Sequence, residues 1–337
     1  MSIEPFEVAI KGKPVKVPSL AFGANRIVVL GKWMKIAGIH DEEWLTGQLV
    51  DDPSTVVDHM KKGRLKADLF TFTQKIPDVT PRYKLAMEWD NAAAIRTSNF
   101  KDWWESLPQV ARKNVRRSQK RGVTVRLVEF NDELVGGLMK IFSQTLIKQG
   151  IPFAHHGKDF ETVKKEHSGL LDRSEFIGAY SGDELIGFIK LVYMGDIAAI
   201  LNIVTMDQHY DKRPANALIT KAVEICEQRK MSHLLYGKFT YGNKTNSPLT
   251  EFKHRNGFEQ INFPRYYVPL TLKGKLFLKL NLHRGLLGIL PAGVIALLLK
   301  CRARFYQALS SLRGTKTASG DAAGAATAEP EAESAGA

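Results

Sequence analysis

Cysteine is almost absent from this chain of 337 residues, which contains only Cys226 and Cys301. Neither cysteine has a CxxC neighbour or a plausible set of metal ligands around it. This scarcity excludes a disulfide scaffold and a metal site built on thiolates, so both residues are expected to be small packing residues. A reducing, cytoplasmic setting is the corresponding expectation for the protein.

The sequence also lacks a secretory signal and a membrane-spanning run. Its first ten residues, MSIEPFEVAI, have neither the basic start nor the continuous apolar run of a signal peptide. An uncharged run at 285–299, GLLGILPAGVIALLL, has 15 residues and contains Pro291, whereas a spanning helix needs roughly 20 apolar residues. Basic residues flank it at 283–284 and 300–304, so we expect it to lie in a membrane interface or enter one leaflet. A buried core helix or a dimer contact is the alternative.

Acidic residues are fewer than basic ones, 35 against 48, and the formal net charge is +13. The last 24 residues contribute −3, from one lysine and four acids, so the preceding chain carries +16. Such a field favours nucleic acids, anionic lipids or phosphorylated sugars as partners. The tail from Thr315 onward is rich in Ala, Gly and Glu and is expected to be disordered, because it has little bulky apolar surface to bury.

One segment, RKNVRRSQKRGV at 112–123, has six basic residues in its first ten and no acid. It lies on a helix predicted to begin near Phe100, in which apolar residues recur every three or four positions, at Trp104, Leu107, Ala111 and Val115. Gly122 ends this helix, and a strand follows. The basic residues are the charged side of an amphipathic helix, which either binds phosphates or faces water.

The remaining pattern predicts an α+β protein. Residues 1–98 form a smaller lobe with short apolar runs and one helix at 51–62, capped by Asp52 with Pro53 in its first turn. A further helix is predicted around 132–148. From 174 to 269 the order is three strands, a helix and a strand, then another helix and strand, which describes a mixed sheet with helices packed on it. The predicted segments are strands at 176–180, 185–195, 198–206, 233–239 and 265–269, and helices at 216–230 and 249–255.

A hairpin, a strand, a loop that opens a helix and another strand is the core order of the GNAT acyltransferases. The segment WWESLPQVARKNVRRSQKRGVTV, at 103–125, resembles the helix-to-strand entry of the Fem-type aminoacyl and acyl transferases, which modify cell-wall or envelope precursors. The segment YGKFTYGNKTNSPLTEFKHRNGFEQ, at 236–260, is similar to their closing segment, with an FK motif and a Gly-aromatic pair.

This resemblance covers roughly residues 100–270. It implies a GNAT-like mixed sheet flanked by helices at 99–271, beside the N-terminal α+β lobe at 1–98. Residues 272–313 are then a basic and apolar segment near the membrane, and residues 314–337 are the disordered tail.

The loop before the central helix departs from the GNAT pattern. In GNAT enzymes a glycine-rich loop and the helix N-terminus hold a pyrophosphate of acyl-CoA, but residues 208–218, QHYDKRPANAL, contain no glycine. The resemblance then implies a donor without that pyrophosphate, such as aminoacyl-tRNA or acyl carrier protein, with acyl-CoA still open. The donor is a co-substrate, and no permanently bound cofactor is expected. Candidate donor-binding residues are His209, Lys212, Arg213 and Asn216; the alternative is a polar turn with Asn216 near a helix cap.

A second polar loop lies between Gly150 and Gly157. It contains His155, His156 and Lys158, which suit substrate recognition, and a histidine can serve as a general base near neutral pH. The alternative is a surface loop with ordinary hydrogen bonds. No metal site is expected, because adjacent histidines point in different directions and no carboxylate or thiol partners are evident.

The remaining candidates follow from the resemblance. Asn202, in the third strand, is a candidate to bind the acceptor or a water, and Tyr241 a candidate to protonate the leaving group. Lys253, in the FK motif, is a candidate for contact with a donor or acceptor phosphate, and so are Arg116 and Arg117 of the basic helix. Packing or capping is the alternative for the first two, and a solvated helix lysine is the alternative for Lys253.

The expected function is transfer of an acyl or aminoacyl group to an amine of a cell-envelope, polysaccharide or lipid-linked precursor, by an N-acyltransferase peripheral to the cytoplasmic membrane face. The expected partners are an anionic or phosphorylated substrate, an anionic membrane surface, and tRNA or acyl carrier protein. One alternative is a nucleic-acid-binding protein that uses the basic helix at 112–121. Sequence-specific DNA binding is not expected, because base-reading chemistry is not recognisable there. Another alternative is a catalytically inactive GNAT-like scaffold.

Overall fold

A computed structural model describes residues 2–284 apart from 11–12, 46, 48, 149–150 and 242–246. The predictions for Cys301, for the apolar run at 285–299 and for the tail at 314–337 lie outside the described residues. The described α-helices are α1 Pro53–Lys62, α2 Phe100–Ser106, α3 Gln109–Lys120, α4 Asp132–Ser143, α5 Phe160–His167, α6 Pro214–Gln228, α7 Pro248–Arg255 and α8 Leu272–Lys279. Short 3₁₀ helices span Glu42–Trp44, Leu171–Arg173, Asp207–Lys212 and Leu282–Arg284.

The described strands are β1 Glu4–Ile10, β2 Lys13–Phe22, β3 Asn25–Leu30, β4 Ile36–Ile39, β5 Leu69–Thr73, β6 Ala86–Arg96, β7 Val123–Val128, β8 Ile147–Lys148, β9 Ile151–Pro152, β10 Ser174–Ser181, β11 Glu184–Met194, β12 Ile197–Thr205, β13 His233–Leu235 and β14 Glu259–Pro269. The described residues divide into two compact units. The first comprises 2–91 and 261–284, and the second comprises 92–260.

The first unit contains strands in the order β1-β2-β3-β4-β5-β14. Neighbouring strands are antiparallel except for β4 and β5, which are parallel. Helix α1 buries Val56 and Met60 in the core of this unit. The predicted start of α1 is confirmed, since the Asp52 side chain accepts a hydrogen bond from Ser54 N at 3.0 Å and Pro53 is the first helical residue.

The second unit contains strands in the order β6-β13-β12-β11-β10-β7. The predicted hairpin is confirmed as β10 and β11, and the predicted strand, helix and strand follow as β12, α6 and β13. All neighbouring strands are antiparallel except the pair β12 and β13. On β11, Phe188 contacts Phe142 of α4, whereas a Cβ at Gly187 would lie 3.3 Å from Leu218 of α6, so α4 and α6 lie on opposite faces of the sheet.

The single helix predicted from Phe100 is wrong, because two helices occupy this segment. Helix α2 ends at Ser106, and α3 begins at Gln109. Leu107 between them is extended, with φ −61° and ψ 141°, since the ring of Pro108 disfavours helical backbone in the residue before it. Trp103 rather than Trp104 is the buried tryptophan. The basic residues nevertheless lie on a helix, as predicted.

Other predicted boundaries also shift. Helix α4 ends at Ser143 instead of continuing to 148, and Thr145 beyond it donates a hydrogen bond to the Asp207 carboxylate at 2.7 Å. Strand β13 stops at Leu235 rather than at 239. No described helix reaches the length and apolarity that crossing a membrane requires.

The turn after α7 gives a test of packing in the second unit. Gly257 has φ +81°, and a Cβ on it would lie 2.7 Å from Trp103 Nε1 and 2.9 Å from a Leu107 methyl group. Gly257→Ala should therefore lower the free energy of unfolding by about 2–4 kcal/mol, because it adds backbone strain and overpacking. Urea unfolding midpoints measure this loss.

Gly182→Ala is the matched control. Gly182 also has a positive φ, +62°, but nothing lies within 4 Å of its Cβ position. This substitution should cost only about 1 kcal/mol of backbone strain. Equal losses in the two variants would show that Trp103 and Leu107 do not pack closely on the turn.

Candidate active site

The site begins where the two parallel strands of the second unit stop pairing. β12 pairs with β13 over three residues, from Ile197 with His233 to Ala199 with Leu235. The chain then turns to β6, where Tyr236 N donates to the Ala93 carbonyl at 2.9 Å and Ala93 N donates to the Gly237 carbonyl at 2.8 Å. Open α/β sheets bind ligands at the carboxyl ends of their parallel strands, so a ligand-binding site is expected here.

A β-bulge changes the direction of the side chains on β12. Lys190 is opposite Asn202, but the next pair is Leu191 with Ile200, so Leu201 has no partner across the ladder. Bulges are frequent beside active sites, because the extra residue bends the strand and redirects its neighbours. Asn202 follows the bulge directly and is half-buried.

Lys253 of α7 is fully buried, so the alternative of a solvated helix lysine is wrong. Its Nζ donates a hydrogen bond to the Lys238 carbonyl at 2.7 Å. The same Nζ lies 4.3 Å from the ring centroid of Tyr236 and 5.3 Å from that of Tyr241. Burial lowers the pKa of Lys253 to about 7. The structure thus brings together two of the predicted residues, Tyr241 and Lys253.

Helix α7 is fastened at both ends, which fixes the position of Lys253. At its start, the Ser247 side chain accepts a hydrogen bond from Thr250 N at 3.1 Å, and the Thr250 hydroxyl donates to the Phe239 carbonyl at 3.2 Å. At its end, Asn256 accepts a hydrogen bond from the Asn216 side chain of α6 at 2.8 Å. Asn216, predicted to bind the donor, therefore holds α7 against α6.

Lys190 is a second buried lysine, and it is not among the residues predicted from the sequence. Its Nζ donates to the carbonyl oxygens of His167, at 2.7 Å, and Gly169, and lies 5.3 Å from the Phe176 ring centroid. Burial lowers its pKa to about 8. The sequence did contain a signal for this buried lysine, because Lys190 is the single cation inside the apolar run LIGFIKLVYMG.

The histidine loop forms a separate cluster before α5. Lys158 Nζ lies 2.6 Å and 2.8 Å from the two carboxylate oxygens of Glu166, and His155 Nδ1 lies 3.5 Å from one of them. The His155 ring also stacks on Phe142 at 4.7 Å. Burial raises the pKa of Glu166, but hydrogen bonds and positive charge from His155 and Lys158 outweigh it and lower the pKa to about 2. His156 is exposed.

The glycine-free loop before α6 forms a 3₁₀ helix, and its polar side chains bind neighbouring elements. His209 pairs with Glu184 at 3.0 Å, and Lys212 Nζ donates to the Ser181 hydroxyl at 2.6 Å, so both hold the β10–β11 turn. Arg213 is left-handed, with φ 57°, and its guanidinium lies 4.4 Å from the Tyr210 ring centroid. Within the described part of the chain, the buried Arg213 Nε has no hydrogen-bond partner.

The basic side of α3 remains exposed. Arg116 and Arg117 line a shallow depression of about 390 Å³ together with Lys113, Lys120 and Arg121. Arg121 also pairs with Asp211 of the loop before α6, so this surface adjoins that loop. Among the residues that the structure describes, no group of three His, Cys, Asp or Glu is arranged to hold a metal ion.

The buried ammonium of Lys253 predicts a pH dependence of stability. The pKa falls from the ordinary 10.5 to about 7, so between these values the unfolded chain holds a proton that the folded chain has lost. Raising the pH through this window therefore favours folding. The free energy of unfolding of the wild type, relative to Lys253→Met, should rise by on the order of 3 kcal/mol from pH 7 to pH 10, as urea titrations would measure.

Lys165→Met, which replaces an exposed lysine of α5, is the control. The difference in the free energy of unfolding between Lys165→Met and the wild type should not change between pH 7 and pH 10. Because Lys190 is present in all three proteins, its titration cancels. If the difference in the free energy of unfolding between the wild type and Lys253→Met did not change with pH, the burial of the Lys253 charge would be contradicted.

No sequence-family model matches this chain, and no curated protein sequence matches it. Solved structures do match. FemX is 10% identical with a TM-score of 0.57, and the alignment covers 82% of this chain and 90% of FemX. L-PGS from Bacillus licheniformis is 13% identical with a TM-score of 0.50, covering 77% of this chain and 86% of that one. At such identities the likeness concerns the fold alone, and it confirms the predicted α+β fold with a mixed sheet flanked by helices, similar to that of FemX.

Proposed function

We propose that this protein transfers an acyl or aminoacyl group to an amine of a cell-envelope, polysaccharide or lipid-linked precursor. The observation that carries this proposal is the buried lysine with its two tyrosines at the end of β13, where β12 and β13 stop pairing. The similarity in fold to FemX supports the choice of the Fem-type branch.

The reaction needs little from the protein beyond positioning and one proton transfer. The acceptor nitrogen attacks the carbonyl carbon of the donor, and the bond from that carbon to the leaving oxygen or sulfur breaks. We assign Asn202, beside the bulge of β12, to binding the acceptor amine or a water. We assign Tyr241 as the acid that donates its hydroxyl proton to the leaving atom. The acceptor amine releases one proton in the same reaction, and this proton returns Tyr241 to its neutral form.

Lys253 is assigned a positioning role, because its side chain is fully buried. It holds the chain after β13 through the Lys238 carbonyl and lies against the ring of Tyr241. When Tyr241, which is half-buried, gives up its proton, the negative charge forms beside Lys253, and the ammonium form of Lys253, which predominates below a pKa of about 7, stabilises it. This differs from direct contact with a phosphate, the role implied by the resemblance.

The donor we favour is aminoacyl-tRNA, with acyl carrier protein as the second choice. The loop that would hold a coenzyme A pyrophosphate contains no glycine, and His209 and Lys212 are engaged with the β10–β11 turn. We instead assign phosphate binding to the basic side of α3, which adjoins this loop through Arg121 and Asp211. A long polyanion suits such an open surface better than a small cofactor does. We place the reaction at a membrane surface.

The catalytic assignment is tested by transfer assays with purified protein, offered aminoacyl-tRNA, acyl carrier protein and acyl-CoA donors with amino-sugar and lipid-linked acceptors. With the productive pair, Tyr241→Phe should lower kcat about 100-fold or more, because the leaving atom loses its proton source. Lys253→Met should lower kcat with little change in KM for the donor. Lys165→Met is the control and should match the wild type.

Full activity of Tyr241→Phe would remove that residue from the mechanism. Absence of transfer from every donor, together with no donor binding, would favour the inactive scaffold.

The donor assignment predicts salt-dependent tRNA binding. The double substitution Arg116→Ala and Arg117→Ala should weaken binding and make the slope of log K against log salt shallower by about 1.5, since two phosphate contacts are lost. Filter binding between about 50 and 200 mM salt measures both quantities. The control, Lys140→Ala with Lys165→Ala, removes the same charge from exposed positions on α4 and α5 and should bind nearly as the wild type does.

Equal weakening in the control would mean that net charge rather than the basic side of α3 binds tRNA. Binding of duplex DNA as tight as that of tRNA, without transfer activity, would support the nucleic-acid-binding alternative.

A further inference from the structure

Helix α8, in the first unit, turns its apolar side to solvent. Leu272, Leu276 and Leu280 follow one another at intervals of four, so they lie on one side of the helix. Their exposed fractions are 82%, 57% and 55%. In a helix packed on a core, such a stripe is normally the buried side. Leu272 and Leu276 of α8, with Leu280 directly after it, therefore form an apolar surface on which a partner can dock.

The opposite side of α8 is fixed against the first unit by a glycine. A Cβ at Gly274 would lie 2.1 Å from the carbonyl oxygen of Asp68, so only glycine allows this approach. The Thr271 hydroxyl donates to the Asp68 carboxylate at 2.9 Å and accepts from Gly274 N at 3.0 Å. Because this side is in contact, the leucines cannot turn inward without breaking it.

Trp33 extends the same apolar surface. It is 68% exposed, more than the other exposed tryptophan of the described residues, Trp89, at 56%. Its ring lies 5.9 Å from that of Phe277, and Lys273 Nζ lies 4.7 Å from its centroid. We name Trp33, Leu272, Leu276 and Leu280 together the α8 patch.

Cations surround the α8 patch. Helix α8 contributes Lys273, Lys275 and Lys279. Trp33 and Lys273 also line a cavity of about 580 Å³, whose other basic residues are Lys32, Lys35, Lys61 and Lys66. The one acid that lines it, Asp68, is paired with Thr271 and Lys273. A tryptophan and leucines beside lysines are the composition of a surface that meets anionic headgroups and the acyl-chain boundary together.

The sequence that follows points to the same partner. The chain passes from α8 through Leu282–Arg284 directly into the uncharged apolar run at 285–299. A second copy of this chain fits the patch less well, since a two-fold contact places the same lysines opposite one another. An anionic bilayer offers both the apolar interior and the opposite charge.

We propose that the α8 patch docks this protein on an anionic lipid bilayer. The leucines and Trp33 enter the acyl-chain boundary, and the lysines of α8 and of the neighbouring cavity contact lipid phosphates. This docking does not depend on the transfer chemistry of the second unit, so it can be tested without donor or acceptor.

Vesicle flotation of the full chain tests the proposal. Wild-type protein should float with phosphatidylcholine vesicles containing about 30% phosphatidylglycerol, less with phosphatidylcholine alone, and less in high salt. The double substitution Leu272→Glu and Leu276→Glu, and separately Trp33→Ala, should each lower the fraction bound, the former about tenfold. The controls are Trp89→Ala and Val110→Glu, which alter exposed apolar residues elsewhere and should float as the wild type does.

Unfolding midpoints equal to that of the wild type establish that the variants are folded. Unchanged flotation of the double variant, or wild-type protein that binds no vesicle, overturns the proposal. So does a lipid-free dimer, seen by light scattering, that the double substitution dissociates, because the α8 patch would then be a contact between copies.

Discussion

The hydrogen bond from Lys253 Nζ to the Lys238 carbonyl is the contact on which the candidate site depends. A buried cation is tolerated only with hydrogen-bonding partners and favourable surroundings, and here these are one carbonyl and two tyrosine rings. The bond ties α7 to the chain that leaves β13. Because Asn256 at the end of α7 is held by Asn216, the position of the lysine also depends on α6. The site is therefore set by three successive elements, namely α6, the chain after β13, and α7.

The two buried lysines of the second unit have different surroundings, and this separates their roles. Lys190 donates hydrogen bonds to two carbonyl oxygens in the segment from the end of α5 to β10, so it stabilises the connection between these two elements. Lys253 has one carbonyl partner and the rings of Tyr236 and Tyr241. Both pKa values are lowered by burial, and Lys253 also lies beside the phenol ring of Tyr241. A lowered pKa alone does not distinguish a catalytic neighbourhood from a structural one.

Local signals in the sequence predicted the local features well. The Asp52 cap, Pro53 and the β10–β11 hairpin each depend on residues within a few positions of one another. The break at Pro108 was missed, because the apolar spacing continues through it and conceals the end of α2. The burial of Lys253 and the pairing of Lys158 with Glu166 were also missed, since each requires packing between separate elements. Such contacts leave no periodic pattern in the sequence.

The loop before α6 contains no glycine, and α3, which adjoins it, exposes a basic side. A pyrophosphate needs free backbone N–H groups in a loop open enough to admit it. Here the loop is a 3₁₀ helix whose His209 and Lys212 are paired with Glu184 and Ser181, so its side chains serve the fold. These pairs engage the His209 and Lys212 side chains, which were predicted to bind the donor. The exposed cations of α3 adjoin this loop, because Arg121, directly after α3, pairs with Asp211. For this reason we propose a large phosphate-bearing donor as the partner of the basic segment.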